Sequence, residues 1–302
     1  MKHLFDITKK IKINTIGNIL SEDENLTIDI ARFDLLHPVV SGNKFFKLKY
    51  NLENAIQKNK KGILTMGGAY SNHLIATAYY AKENGLSSKA IIRGFLHDSL
   101  SHTLQYCMQL GMELIAVERS LFDETQTEVQ KIISEQRDYL FIPYGGSNEE
   151  GVKGAAEMAA MIPYFETYDI VCCSIGSGTM FKGIRKSIFP NQTLIGIPSI
   201  KIKAEEQELY MSNYGTKNDQ IKIYFDYAGK GFGKSAPDIL SFMNALYRFY
   251  AIPTDFVYTG KLIYGIMDLM NKEEIKQHQK VVIIHSGGLQ GNRSLKSGTL
   301  IY

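Results

Sequence analysis

From residue 60 onward, short apolar runs, most of them closing on glycine, alternate with helical stretches of about ten residues or more. This alternation constrains the fold more than any other feature of the chain. "GILTMGG", "KAIIRGF", "MELIAV", "YLFIPYGG", "YDIVCCSIGSG", "TLIGIPS" and "KVVIIHSGG" read as strands. "SNHLIATAYYAKENG", "HTLQYCMQLG", "ETQTEVQKIISEQ", "NEEGVKGAAEMAAMI", "TMFKGIRKSI", "APDILSFMNALYRFYA" and "GKLIYGIMDLMNKEEIK" read as helices, with Gly85 and Gly111 as stops. Strands separated by helices imply right-handed crossovers and mostly parallel sheets covered by helices on both faces. Two-sided burial explains why the strands are apolar nearly throughout. The expected fold class is therefore α/β.

A chain of 302 residues can form one large domain or two ordinary ones. With 44% hydrophobic and 22% charged residues it has the composition of a globular protein. A net charge of only +3 and the lack of a long basic run argue against nucleic acid. "MKHLFDITKK" has no apolar signal core, and no run of about 18 apolar residues follows, so no membrane is expected. Cys107, Cys172 and Cys173 cannot all pair with each other and read as core filler, which fits a reducing cytoplasm.

Four strands close on glycine, at Gly67-Gly68, Gly145-Gly146, Gly176 and Gly287-Gly288. One such glycine suggests a tight turn. Four suggest a ligand crevice beyond the carboxyl ends of the strands. In "SIGSGTMFKGI", Gly176, Ser177, Gly178 and Thr179 could turn backbone N–H groups and hydroxyls toward one anion. The spacing is neither a P-loop nor a dinucleotide fingerprint, so a small monophosphate fits better. In "GGAYSNH", Ser71 and Asn72 stand where they could either cap a helix or meet a ligand, and His73 by itself reads as structural. No HExxH or Cys/His cluster occurs, so no metal is expected. Thr259 in "DFVYTGK" and Ser286 in "IIHSGG" place hydroxyls beside glycine, where ordinary turn chemistry is the plain alternative. In "SGNKFFKLKYNL", a surface helix would explain Lys49. Lys44 instead follows a Ser-Gly-Asn turn and precedes Phe45 and Phe46, a setting that can desolvate an amine. Such a lysine together with a phosphate cradle points to pyridoxal phosphate.

"GNKFFKL", "GGAYSNH", "IPYGGSN", "GSGTMFKG", "DFVYTGK" and "HSGG" resemble, in order and spacing, the motifs of the 1-aminocyclopropane-1-carboxylate (ACC) deaminase and D-cysteine desulfhydrase family. These are pyridoxal-phosphate enzymes of fold type II. The resemblance implies two domains, each an open, mostly parallel sheet flanked by helices, with the cofactor in the cleft between them. The smaller would span 48–155, and the larger 1–47 plus 156–302. The resemblance assigns the covalent lysine to Lys44 and the phosphate to Gly176, Ser177, Gly178 and Thr179. It places Asn72 at the cofactor's ring oxygen, Ser71 at the substrate with a part in proton handling, and Tyr258 beside the ring. Thr259 falls where the family places the partner of the ring nitrogen. ACC deaminases resemble one another in having Glu and Leu at the positions of Thr259 and Ser286. The hydroxyl pair is similar instead to the D-cysteine desulfhydrases, which implies a lyase that eliminates sulfide from a small D-amino acid. ACC, or another small D-amino acid, is the alternative substrate. A non-catalytic binding protein on the same scaffold is the alternative of another class. That pair is one departure from the ACC deaminases; a second is Phe232, where the family often has Tyr, and the approach "IARFDLLHPVVSGNK" is also divergent. A cytoplasmic homodimer is expected.

Overall fold

The computed structural model describes residues 8–302 except 22, 24, 25, 41, 95–99, 215–219, 230, 232 and 235, so Phe232 lies outside the described residues. Two strands precede the repeating pattern. β1 (Ile13–Gly17) and β2 (Thr27–Ala31) pair antiparallel. Neither was legible in the sequence, because "INTIG" and "TIDIA" interleave polar residues with isoleucine rather than forming an apolar run. The strands expected from the pattern then follow: β3 (Gly62–Gly67), β4 (Ser87–Arg93), β5 (Met112–Val117), β6 (Tyr139–Ile142), β7 (Ile170–Ile175) and β8 (Thr193–Pro198). β9 (Ile221–Ile223) is a three-residue edge strand that was not anticipated, and β10 (Val281–Ile284) closes the set.

These strands form two sheets. The first runs in the order β5-β4-β3-β6 and is wholly parallel. It uses residues from within the segment 48–155. The second runs β1-β2-β10-β7-β8-β9 and is parallel apart from its β1–β2 edge. It draws on both ends of the chain, because β2 lies beside β10. The helices are α1 (Asn43–Gln57), α2 (Asn72–Glu83), α3 (His102–Gln109), α4 (Thr127–Glu135), α5 (Glu149–Ala156), α6 (Met158–Met161), α7 (Thr179–Arg185), α8 (Ala204–Ser212), α9 (Pro237–Tyr250) and α10 (Thr259–Asn271). The single helix expected over "NEEGVKGAAEMAAMI" is divided at Glu157 into α5 and α6. Among the described residues, no helix is long and apolar enough to cross a membrane.

α1 joins the two halves. Phe45 and Phe46 are fully buried, with their rings edge-on at 5.4 Å. They share one core with Ile63 and Ile142 of the first sheet and Val171 and Val282 of the second. Burying two such side chains favours this position of the helix by about 4 kcal/mol, so the phenylalanines fix where the preceding lysine points. Lys49 does not face open solvent. It is buried on α1 and paired with Glu157 at 2.8 Å.

The start of α1 rests directly on the turn after β10. Asn43 N–H donates to the carbonyl of Ser286 at 3.2 Å, and Gly42 N–H donates to that of Phe33 at 3.0 Å. Gly42 has φ +59° and ψ −138°, a conformation open only to glycine. A Cβ there would stand 1.8 Å from the Ser286 carbonyl oxygen. Gly42→Ala is therefore expected to lower stability by about 3 kcal/mol or more. Urea unfolding of the variant against wild type measures it, and a loss of under about 1 kcal/mol would contradict the docking described.

Candidate active site

A cavity of about 420 Å³ lies beyond the carboxyl ends of the strands, walled by both sheets. All four glycine turns contribute to it, through Gly68, Gly145, Gly176, Gly287 and Gly288. Lys44, Ser71, Asn72, Ser177, Tyr258 and Ser286 also line it. Thr179 and Thr259 do not. They are buried behind the wall.

Lys44 occupies the second position of α1, and its ammonium donates to Asn43 Oδ1 at 2.7 Å. Burial lowers its pKa to about 8, against the opposing pull of Asp255. A useful fraction of the amine is thus neutral, and nucleophilic, near physiological pH.

Lys47 lies one helical turn further on the same face. It is buried, and its Nζ reaches the Gly145 carbonyl at 3.4 Å and Ser177 Oγ at 3.3 Å. Burial and the charge of Lys44 hold its pKa well below the ordinary lysine value. Ser177 Oγ also bonds Thr179 Oγ1 at 2.9 Å. The loop before α7 therefore has the amine of Lys47 at its edge. Backbone N–H groups alone had been expected. Gly178 has φ +79°, and a Cβ there would meet the Tyr214 hydroxyl at 2.5 Å. The loop accordingly depends on glycine for both conformation and space.

Ser71 precedes α2 but makes no side-chain cap. Its hydroxyl is thus left to the cavity, and helix capping does not account for it. Asn72 Nδ2 donates to the Gly288 carbonyl at 3.0 Å, which ties the first sheet's helix to the second sheet's turn. Asn72 Oδ1 is buried without a partner. His73 also belongs to the cavity. Thr65 gives its hydroxyl proton to the Ile142 carbonyl at 2.8 Å, so it can only accept from His73 Nε2 at 2.9 Å. The imidazole is therefore the Nε2–H tautomer, and its buried Nδ1 presents a bare lone pair. Burial, then Lys44 and Lys47, lowers the His73 pKa to about 3, so the ring stays neutral.

The opposite wall turns on Asp255. Its carboxylate accepts from the N–H groups of Val257, Tyr258 and Thr259 at 2.7–3.0 Å and from Thr259 Oγ1 at 2.7 Å. Those four bonds fill the lone-pair directions of a carboxylate. Thr259 Oγ1 gives its only proton to Asp255 and accepts from the Asp255 N–H at 2.9 Å. Thr259 thus serves its own turn and does not face the cavity, contrary to its expected place at the ring nitrogen. Ser286 is the hydroxyl of the pair that does. The Tyr258 ring lies against Gly176, where a Cβ would come within 2.9 Å of Cε1. Burial, then Tyr144 and Asp255, raises the Tyr258 pKa, so its phenol keeps its proton.

Residues 30–287 match the sequence profile described as "Pyridoxal-phosphate dependent enzyme". The chain belongs to this family. Over 302 residues it is 29% identical to a Yersinia enterocolitica protein named D-cysteine desulfhydrase, covering 92% of this chain and 90% of that one. It is 27% identical over 292 residues to a Thermotoga maritima protein with the provisional name 1-aminocyclopropane-1-carboxylate deaminase, covering 90% and 92%. The crystal structure of an ACC deaminase homologue superposes with a TM-score of 0.77 at 24% identity, covering 95% of this chain and 92% of that one. The fold is thus fold type II, in two mostly parallel sheets, and the cofactor is pyridoxal phosphate.

The residues present fit that cofactor. A lysine with a pKa near 8 can take its carbonyl carbon. The glycine loop with Lys47 suits a phosphate dianion, and the partnerless Asn72 Oδ1 and His73 Nδ1 await a donor. Sequence reasoning passed over Lys47 and Asp255 and set His73 aside. The three-residue spacing of Lys44 and Lys47 was the one available signal for them.

Two outcomes follow. Borohydride reduction of the loaded protein should leave the pyridoxyl label on Lys44. Because the attacking species is the neutral amine, cofactor uptake should quicken as pH rises toward about 8 and level off above it. A label on Lys47 or Lys182, or a flat profile below pH 8, would reverse the assignment. For the phosphate, Gly178→Ala should weaken cofactor affinity about 30-fold or more, and Lys47→Met by about 10-fold or more. Ser177→Ala should change it by only about 3-fold. Equilibrium titration followed by absorbance measures all three.

Proposed function

We propose that the chain is a lyase that carries out α,β-elimination on D-cysteine, giving sulfide, pyruvate and ammonia. The observation that supports this reading most is the saturation of Asp255. Asp255 is the one carboxylate among the described residues lining the cavity, and with its four acceptor positions occupied and Thr259 bonded to it, it is not free to charge the ring nitrogen. A neutral hydroxyl favours a weaker electron sink. That suffices where thiolate departs readily, and suits the opening of a cyclopropane less well.

When bound, the cofactor delocalises the electron pair left on Cα as its proton departs. The chain's own residues supply the rest. Lys44 would hold the cofactor, and its amine would stand beside Cα of the substrate. Lys44 or Ser71 removes the Cα proton, a step of the kind worth about 10²–10⁴-fold. The uncapped start of α2, with Ser71 and Asn72, suits the substrate carboxylate. Tyr258, held as a phenol, can donate to the departing sulfur. Cleavage of Cβ–S leaves aminoacrylate, which water hydrolyses to pyruvate and ammonia. The setting proposed is a cytoplasmic homodimer. Three buried, unpaired cysteines are compatible with a reducing compartment.

Comparing kcat/KM on D-cysteine and ACC tests the proposal. Sulfide release from D-cysteine should dominate, with little ammonia from ACC. Ser286→Ala should lower turnover about 10-fold or more. Thr259→Glu should instead destabilise the protein, because it sets a second carboxylate against buried Asp255. Preference of the wild type for ACC would overturn the assignment.

A further inference from the structure

The motif "DFVYTGK" ends in a lysine to which the proposed reaction gives no part. Lys261 is buried, 2% exposed, in the first turn of α10. Among the described residues its Nζ is bonded only to backbone carbonyls, those of Ala228 at 2.7 Å, Gly231 at 3.2 Å and Ser199 at 3.4 Å. Among the described residues it forms no ion pair within 4.0 Å. Three acceptors match the three N–H donors of an ammonium, whereas a neutral amine has only two. Burial lowers the Lys261 pKa from the ordinary lysine value, and the charge of Asp255 opposes that shift from further away.

The three carbonyls come from separate places. Ser199 follows β8, and its own N–H is held by the Ile175 carbonyl at the end of β7. Ala228 and Gly231 belong to the turn after β9, which curls around the amine so closely that a Cβ on Gly229 would stand 3.9 Å from Nζ. Two residues further on, Gly233 lines the active-site cavity. Lys261 itself stands three residues after Tyr258. The ammonium therefore gathers the strand end, the turn and the start of α10 around one point charge.

We propose that Lys261 is a positioning residue acting as a built-in monovalent cation. Its ammonium fills a cage of backbone carbonyls that would otherwise take a potassium-sized ion, and it holds Ala228, Gly231 and Tyr258 beside the cavity. Carbonyl oxygens grouped in this way replace the hydration shell of potassium, an ion close in size to ammonium. Supplying the cation from a side chain makes the site independent of the salt around it.

Lys261→Ala removes the equivalent of a propylammonium and leaves room for an ion. Its thermal midpoint should rise with potassium, and with n-propylammonium, above that in tetramethylammonium at matched ionic strength. The gain should be about 3 °C at ten times the dissociation constant. Wild type should show no difference between these salts. Lys261→Met, which fills the stem and blocks the ion, should be destabilised and unresponsive. Because the cytoplasm of an expression host is rich in potassium, Lys261→Ala should emerge folded. Its failure to do so would overturn the proposal. So would a midpoint indifferent to potassium and propylammonium, or the same potassium response in wild type. The midpoint is read without substrate, so its failure is separable from failure of the proposed D-cysteine chemistry.

Discussion

The site depends on one close approach. The N–H of Asn43 rests on the carbonyl of Ser286, and Gly42 admits it because a Cβ would fall 1.8 Å from that oxygen. This contact sets the lysine of α1 opposite the hydroxyl at the end of β10, two groups more than 240 residues apart in the chain. The rest reinforces it. The N–H of His285 donates to the Ala31 carbonyl at 3.0 Å. The Pro253 carbonyl accepts from His285 Nε2 at 2.7 Å, so Nδ1 is left to accept from the Gly287 N–H at 3.3 Å. One buried imidazole thereby fixes both sides of the Ser286–Gly287 turn. The phenylalanines after Lys44 complete the arrangement by anchoring α1 to a core shared by the two sheets.

The cavity holds two buried amines close together. Lys44 and Lys47 lie on one face of one helix, and desolvation lowers the pKa of each. Bringing a dianionic phosphate between Lys47 and the Gly176–Gly178 loop would relieve that cost, which is the physical reason this pocket suits an anion. His73 follows the same logic. It is kept neutral beside two amines, with an uncovered lone pair, so it tolerates their charge without adding to it.

Asp255 shows how a carboxylate can line a cavity with its acceptor directions already committed. Every acceptor direction is committed to the turn that begins α10. What looks from the sequence like a substitution at one position, threonine for glutamate, is in three dimensions a closed pair, Thr259 with Asp255. Of the two hydroxyls, Ser286 is the one that lines the cavity, and the proposal about substrate rests on it.

The sequence by itself determined what depends on neighbouring residues. The alternation of apolar runs and helices fixed the parallel sheets, since each element carries its own periodicity and stop. The glycine turns were legible for the same reason, and the expectations for the loop at 176–179 and for Lys44 were drawn from the same local pattern. Only the tertiary structure decided which groups meet. Lys47 reaches Ser177 across 130 residues, and Lys261 reaches Ser199 across 62. β1 and β2 become strands because β10 offers β2 an edge, while their own sequence carries little apolar signal. The exclusion of Thr259 and the tautomer of His73 rest on the direction of single protons, set by Asp255 in one case and by Thr65 and Ile142 in the other. Local pattern encodes an element's type. The direction of a hydrogen bond is encoded only once the chain has brought donor and acceptor together.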